Sequence, residues 1–230
     1  MKIILTLLMS AITMNLSAQK LKVKALNKEF KKVLDQVDDF DYLSEKLDST
    51  NYVWVANIEV KMGPIQPHTI PMAFKKIQER SNILGANAFR VINSDVYSKD
   101  GNNFIEVSVF WLYREKRQDN FDLFDKNDIY LFGFLGHHKD IEGYNVSVHE
   151  EKMVIQELSY KKMPVSVDDT VNIDLRKGMK SNTLTFVQKP RPEWEYLSFH
   201  LYKGAFNVGE IRAYNMEIGE FLKRILKEVS

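Results

Sequence analysis

Residues 52–60 read YVWVANIEV, and their alternation puts Trp54, Ala56, Ile58 and Val60 on one face, as a half-buried strand requires. The residues after it fix the kind of unit this strand belongs to. Gly63-Pro64 and Pro67 mark a loop. Thr69 is placed to cap a helix, and Pro71 falls in the first turn, where proline is tolerated. Ala73, Phe74, Ile77 and Leu84 form the apolar stripe of that helix, with Lys75, Lys76, Glu79 and Arg80 facing out. Gly85 stands where a left-handed residue ends a helix. Ala88 to Tyr97 reads as a second strand, and Asp100-Gly101 as a turn. In the third strand, Phe104 to Tyr113, one face carries Ile105, Val107, Val109, Trp111 and Tyr113. Residues 51–115 are thus expected to form a β-α-β-β unit, one helix across a small sheet.

Working outward, residues 19–50 predict a helical segment. Leu26, Phe30, Val33, Leu34, Val37, Phe40, Leu43 and Leu47 recur at steps of three and four. Its lysines come first and its aspartates last, which opposes the helix dipole, so a break is expected near Asp38-Asp39. The run 116–127 is charged and aperiodic and reads as a linker, although Phe121, Leu123 and Phe124 within it require an apolar surface to dock on. Residues 128–230 hold several short strands divided by turn chemistry at Glu142-Gly143, Asp168-Asp169, Lys177-Gly178 and Lys189-Pro190. That spacing predicts an antiparallel β-sandwich or partly open barrel. Asn215 caps a closing helix with Ile218, Phe221, Leu222, Ile225 and Val229 inward. The fold class is α+β.

The run Ile83-Leu-Gly-Ala-Asn-Ala-Phe89 ends the helix and opens the next strand. It resembles the corresponding junction of small bacterial envelope β-α-β-β domains, the RcsF and YbjQ-like families. The resemblance covers residues 52–113 and implies a fold and an envelope setting. The cysteines and lipid anchor of RcsF have no counterpart here, and no catalytic residue carries over. In the motif, glycine stops the helix and the small alanines let helix and strand approach closely.

The first eighteen residues carry one charge, Lys2, then an apolar run from Ile3 to Met9 extended by Ala11, Ile12 and Met14, and end Leu16-Ser17-Ala18. This is the layout of a secretory signal peptide, with Ser10, Thr13 and Asn15 interrupting any membrane-spanning stretch. Cleavage near Ala18 predicts a periplasmic or secreted protein, and the Ser-Ala-Gln ending is similar to signals of Bacteroidota. Loss of Lys2 from the 32 basic residues leaves as many bases as the 31 acids. A balanced chain lacks the field that would draw it to nucleic acid. With no cysteine, thiol nucleophiles, thiolate metal sites and a lipid anchor at the cleavage point are all unavailable. No further stretch predicts a transmembrane span.

Candidate chemistry is sparse. His137 and His138, with Asp140 and Glu142 close by, form a local cluster of metal-ligand types, and His149 with Glu150 and Glu151 could complete it across a hairpin. A metal ion held there would suit a hydrolase acting on periplasmic polymers, by metal or by carboxylate chemistry. Otherwise no cofactor is expected, since GxSxG, GxGxxG, HExxH and P-loop patterns do not occur. Trp194 and Tyr196, with Arg191 in the preceding proline loop, are residue types that dominate binding hot spots. They predict a stacking edge for a glycan or peptide, or else filling of a β core. The expected function is a non-catalytic binding or stress-related module of the envelope, its partner an envelope protein or cell-wall glycan. The alternatives are the hydrolase and a small-ligand carrier.

Overall fold

The computed structural model describes residues 19–31, 39–124, 128–136, 144–177, 180–188, 196–200 and 209–229. The expected signal segment therefore lies outside the described residues, as do His137, His138, Arg191 and Trp194. The fold is mixed α+β. A five-stranded sheet contains β1 (Lys20–Leu26), β2 (Asp41–Tyr42), β3 (Tyr52–Met62), β4 (Ala88–Asp95) and β5 (Asn103–Leu112) in the order β1-β3-β5-β4-β2. Helix α1 (Thr69–Leu84) crosses it, so the β-α-β-β unit is present as β3-α1-β4-β5. Gly85 is left-handed at φ 84°, and the N–H of Ala86 donates to the Ser81 carbonyl at 2.9 Å, the six-to-one bond of a Schellman ending. Thr69 begins α1 without capping it. Its hydroxyl instead accepts from the Gln66 N–H at 3.0 Å, tightening the loop before the helix.

Two expectations about this first unit are corrected. Lys20–Leu26 is a strand, not the start of a helix. It pairs antiparallel with β3, with Leu21 and Val23 packed on the core and Lys20, Lys22 and Lys24 exposed. Lysine on an edge strand also discourages pairing with another chain. The face of Trp54 is the second correction. A bulge at Val55 lets Trp54 pair with Phe110 while Ala56 pairs with Val109. One extra residue reverses the alternation. Trp54 and Tyr52 therefore join Leu43, Ala88, Phe110 and Leu112 in a small cluster on the far side of the sheet, while Ala56, Ile58 and Val60 face α1.

The remaining strands make two more sheets. β7 (Tyr144–Val148), β8 (Glu151–Ile155), β10 (Thr170–Lys177) and β11 (Lys180–Val187) form an antiparallel sheet ordered β11-β10-β7-β8. β6 (Asp128–Phe132), β9 (Ser159–Pro164), β12 (Tyr196–His200), β13 (Glu210–Tyr214) and β14 (Lys227–Glu228) form a sheet ordered β13-β12-β6-β9-β14. This last sheet is mixed rather than antiparallel, because β12 runs parallel to β6 and β14 parallel to β9. The closing helix α3 (Met216–Ile225) stops before Val229, and residues 227–228 return as β14.

The mixed sheet is covered on both faces, which accounts for the wholly buried strands β6 and β12. Ile129, Leu131, Leu197 and Phe199 pack against the four-stranded sheet. Tyr130, Phe132, Tyr160 and Tyr196 face the other way, into a core shared with α1, α3 and the first sheet. α3 thus bridges: Phe221 lies 5.0 Å from Phe74 of α1 and 6.2 Å from Phe89 of β4, ring to ring. The expected linker carries a short helix, α2 (Arg117–Asp122), and its apolar residues do dock, Phe124 against Tyr42 and Leu123 on the small cluster with Leu43.

Candidate functional site

The junction after α1 positions β2, which forms one wall of a cleft. In the Gly-Ala-Asn-Ala junction, Asn87 behaves as a spare piece of backbone. Its side chain donates to the Leu112 carbonyl at 2.9 Å and accepts from the Leu112 N–H at 2.6 Å. Its own carbonyl accepts from the Asp41 N–H at 2.9 Å, which begins the parallel pairing of β2 with β4. Buried Asn120 then pins α2 to β2, accepting from the Ser44 N–H at 2.8 Å and donating to the Tyr42 carbonyl at 2.9 Å. One helical turn back, Arg117 holds Asp41 in a two-pronged bond, Nε to Oδ2 at 2.6 Å and Nη2 to Oδ1 at 2.8 Å, while Nη1 reaches Asp39. Such forked pairs fix geometry as well as charge.

The third wall is the first turn of α3. Asn215 caps it, accepting from the Ile218 N–H at 3.2 Å. The helix is seated from below: the Tyr196 hydroxyl donates to buried Glu220 at 2.7 Å, and Lys223 Nζ lies 2.6 Å from the same carboxylate and 3.9 Å from the Tyr130 ring centroid. Between β2, α2 and α3 remains a cleft of about 330 Å³, at the small end of the range for ligand pockets. Phe121 and Met216 supply apolar walls, Gln118 stands at an exposed edge, and Asp41, Arg117 and Glu217 supply charge. The bonds to Asp41, chiefly, keep the guanidinium firmly protonated. Glu217 is pushed above the usual carboxylate range, first by burial and then by the charges of Asp41 and Asp39. Its own backbone N–H and Arg117 act in the opposite direction.

Among the described residues, the cleft lining includes no serine, threonine, cysteine or histidine. Its groups can hold and orient a ligand. A nucleophile and base do meet elsewhere, Ser198 Oγ and His200 Nε2 being 3.0 Å apart on β12. Ser198, however, is fully buried and also bonded by Tyr214. Burial, followed by the charge of Arg212, lowers the His200 imidazole to about 4, so it is neutral near pH 7. This pair is a satisfied polar element of the core.

Of the residues singled out from sequence, Tyr196 is not on an edge. Its ring is buried and stacked on Tyr130 at 5.4 Å, because even-numbered positions of β12 face the shared core. His149 is exposed at the tip of the β7–β8 hairpin. Among the described residues, no three His, Asp or Glu side chains are grouped to hold a metal, and no helix is long and apolar enough to cross a membrane. Sequence reading missed Asp41, Arg117 and Glu217. Its one usable signal was the set of apolar residues Phe121, Leu123 and Phe124 inside a charged run, which marks a docked segment. Searches against protein-family models, curated proteins and solved structures find no match for this chain.

Proposed function

We propose that the protein is an exported, non-catalytic binding module of the bacterial envelope, and that it holds a partner protein at the cleft between β2, α2 and α3. The observation that carries the reading is the construction of the cleft. Three segments far apart in sequence are fixed around it: β2 and α2 by Asn87, Asn120 and the Arg117–Asp41 fork, and α3 by the bond of Tyr196 to Glu220. Its size suits one protruding side chain, and its lining mixes apolar walls with charged groups, the mixture that anchors a protein contact. Export is supported by the charge, apolar run and small-residue ending of residues 1–18.

A photo-crosslinking residue placed at exposed Gln118 in the native host tests this directly. Val154, exposed on β8 away from the cleft, serves as the control site. The expected result is a discrete crosslink to an envelope protein from position 118 and none from 154. Equal labelling from both sites, or capture of cytoplasmic proteins alone, would overturn the proposal.

A further inference from the structure

Among the described residues of the cleft, Glu217 is the carboxylate outside the ion pairs of Arg117. Three guanidinium nitrogens of Arg117 are occupied, Nε and Nη2 by Asp41 and Nη1 by Asp39. From β2 and the residue run before it, Glu217 faces the carboxylates of Asp41 and Asp39; from α2 it faces Arg117; from its own helix it faces its own backbone N–H. The lining also presents Gln118 and Asn120, which are neutral. Three carboxylates share one guanidinium, so ionisation of Glu217 adds a negative charge that, among the described residues of the lining, no further cation offsets. Phe121 and Met216 offer a channel that a hydrocarbon stem can fill while a charged head reaches the carboxylate.

On the reading that the cleft is a binding site, we infer that it selects a lysine side chain of the partner and that the Glu217 carboxylate reads the ammonium group. The ionised carboxylate pairs with the ammonium without any change of covalent bond; where acid has protonated the carboxyl, its O–H bond must break and the proton leave to water before the pair forms. Binding and ionisation are then linked, so acid opposes capture. Burial, the largest cause, raises Glu217 in the free protein, the direction that strengthens this linkage.

The probe is Nα-acetyl-lysine N-methylamide, and its control is the norleucine analogue, which keeps the stem and lacks the ammonium. Amide NMR signals of Gln118, Phe121 and Glu217 report occupancy of the full protein between pH 4 and 8. The expected result is lysine-dependent shifts whose affinity falls with acid toward a limit of about tenfold per pH unit. Glu217→Gln should lower affinity about tenfold or more at neutral pH and flatten that dependence. If neither probe moves the cleft signals, the binding reading itself fails and the inference with it. If norleucine binds as well as lysine, the cleft binds but Glu217 does not read charge. A pH dependence that persists in Glu217→Gln would overturn the proton linkage while leaving lysine capture in place.

Discussion

Gly219→Ala separates local helix propensity from the packing that seats α3. In an isolated helix the change would stabilise by about 1 kcal/mol, because alanine loses less backbone freedom than glycine. Here an added Cβ would lie 2.1 Å from Cγ and Cδ1 of Tyr196 and 2.6 Å from Cδ2, against roughly 3.5–4.0 Å for ordinary carbon contact. The ring must therefore move by more than an ångström (about 1.5 Å at the closest atoms). It cannot move freely, being buried, stacked on Tyr130 at 5.4 Å and bonded to Glu220 at 2.7 Å. Overpacking of this kind costs about 1–3 kcal/mol, and weakening a hydrogen bond to a charged group adds roughly 1.5–3 kcal/mol. Less the propensity gain, the net loss is about 3 kcal/mol, or roughly 6–12 °C in Tm for a chain of this length. Urea unfolding with an unchanged m value reads it cleanly. Adding Tyr196→Ala should make Gly219→Ala neutral or stabilising. A single Gly219→Ala variant with raised Tm would refute the seating of α3 on Tyr196, and with it the placement of the Glu217 wall.

Other expected outcomes probe different parts of the structure. Asn120→Ala leaves the Ser44 N–H and Tyr42 carbonyl unpaired in a buried site; we expect a loss of about 3 kcal/mol and faster hydrogen exchange at Ser44 than at Phe89. The hairpin tip His149-Glu150 has both residues at positive φ, 47° and 70°, which a two-residue turn of the primed type demands and Asn-Gly suits. Replacing the pair by Asn-Gly should raise stability by about 1 kcal/mol, measured by thermal unfolding; a loss there would show that these side chains make a contact that matters. His200 folds as the neutral form, with its pKa lowered from 6.5 to about 4. Below pH 6.5 the unfolded chain therefore holds a proton that the folded chain lacks. Its contribution to stability should be complete above that pH and fall by up to about 3 kcal/mol as acid approaches pH 4. Denaturation midpoints of His200→Gln across this window should fall less steeply than those of the parent.

The β-α-β-β unit was legible because its signals are local: an alternating strand, a helix stripe, Gly85 at the helix end and Asp100-Gly101 at the hairpin. The cap at Asn215 was legible for the same reason. β1 was hidden by window length. Lys20-Leu21-Lys22-Val23-Lys24 alternates, but Leu26, Phe30, Val33 and Leu34 extend a longer pattern at helical spacing. The face of Trp54 could not be read, since nothing in the composition announces a bulge at Val55. β9 is hard to read from sequence, because Lys161 and Lys162 interrupt its apolar residues and Pro164 ends it. The parallel pairings of β12 with β6 and β14 with β9 are tertiary choices, made because both faces of that sheet have a layer to cover. The cleft was least legible of all. Asp41, Arg117 and Glu217 lie in separate thirds of the chain, and each alone is an ordinary charged residue near a turn.

Native mass spectrometry of the protein released gently from the envelope of its own host tests the central claim most directly, alongside the same measurement on Gln118→Trp, which fills the mouth of the cleft. The account predicts a chain that begins at Gln19 and a bound protein partner that is lost in the variant. A chain retaining Met1 would contradict export, and a partner retained by Gln118→Trp, or a metal ion or small molecule in its place, would contradict the cleft as the binding site.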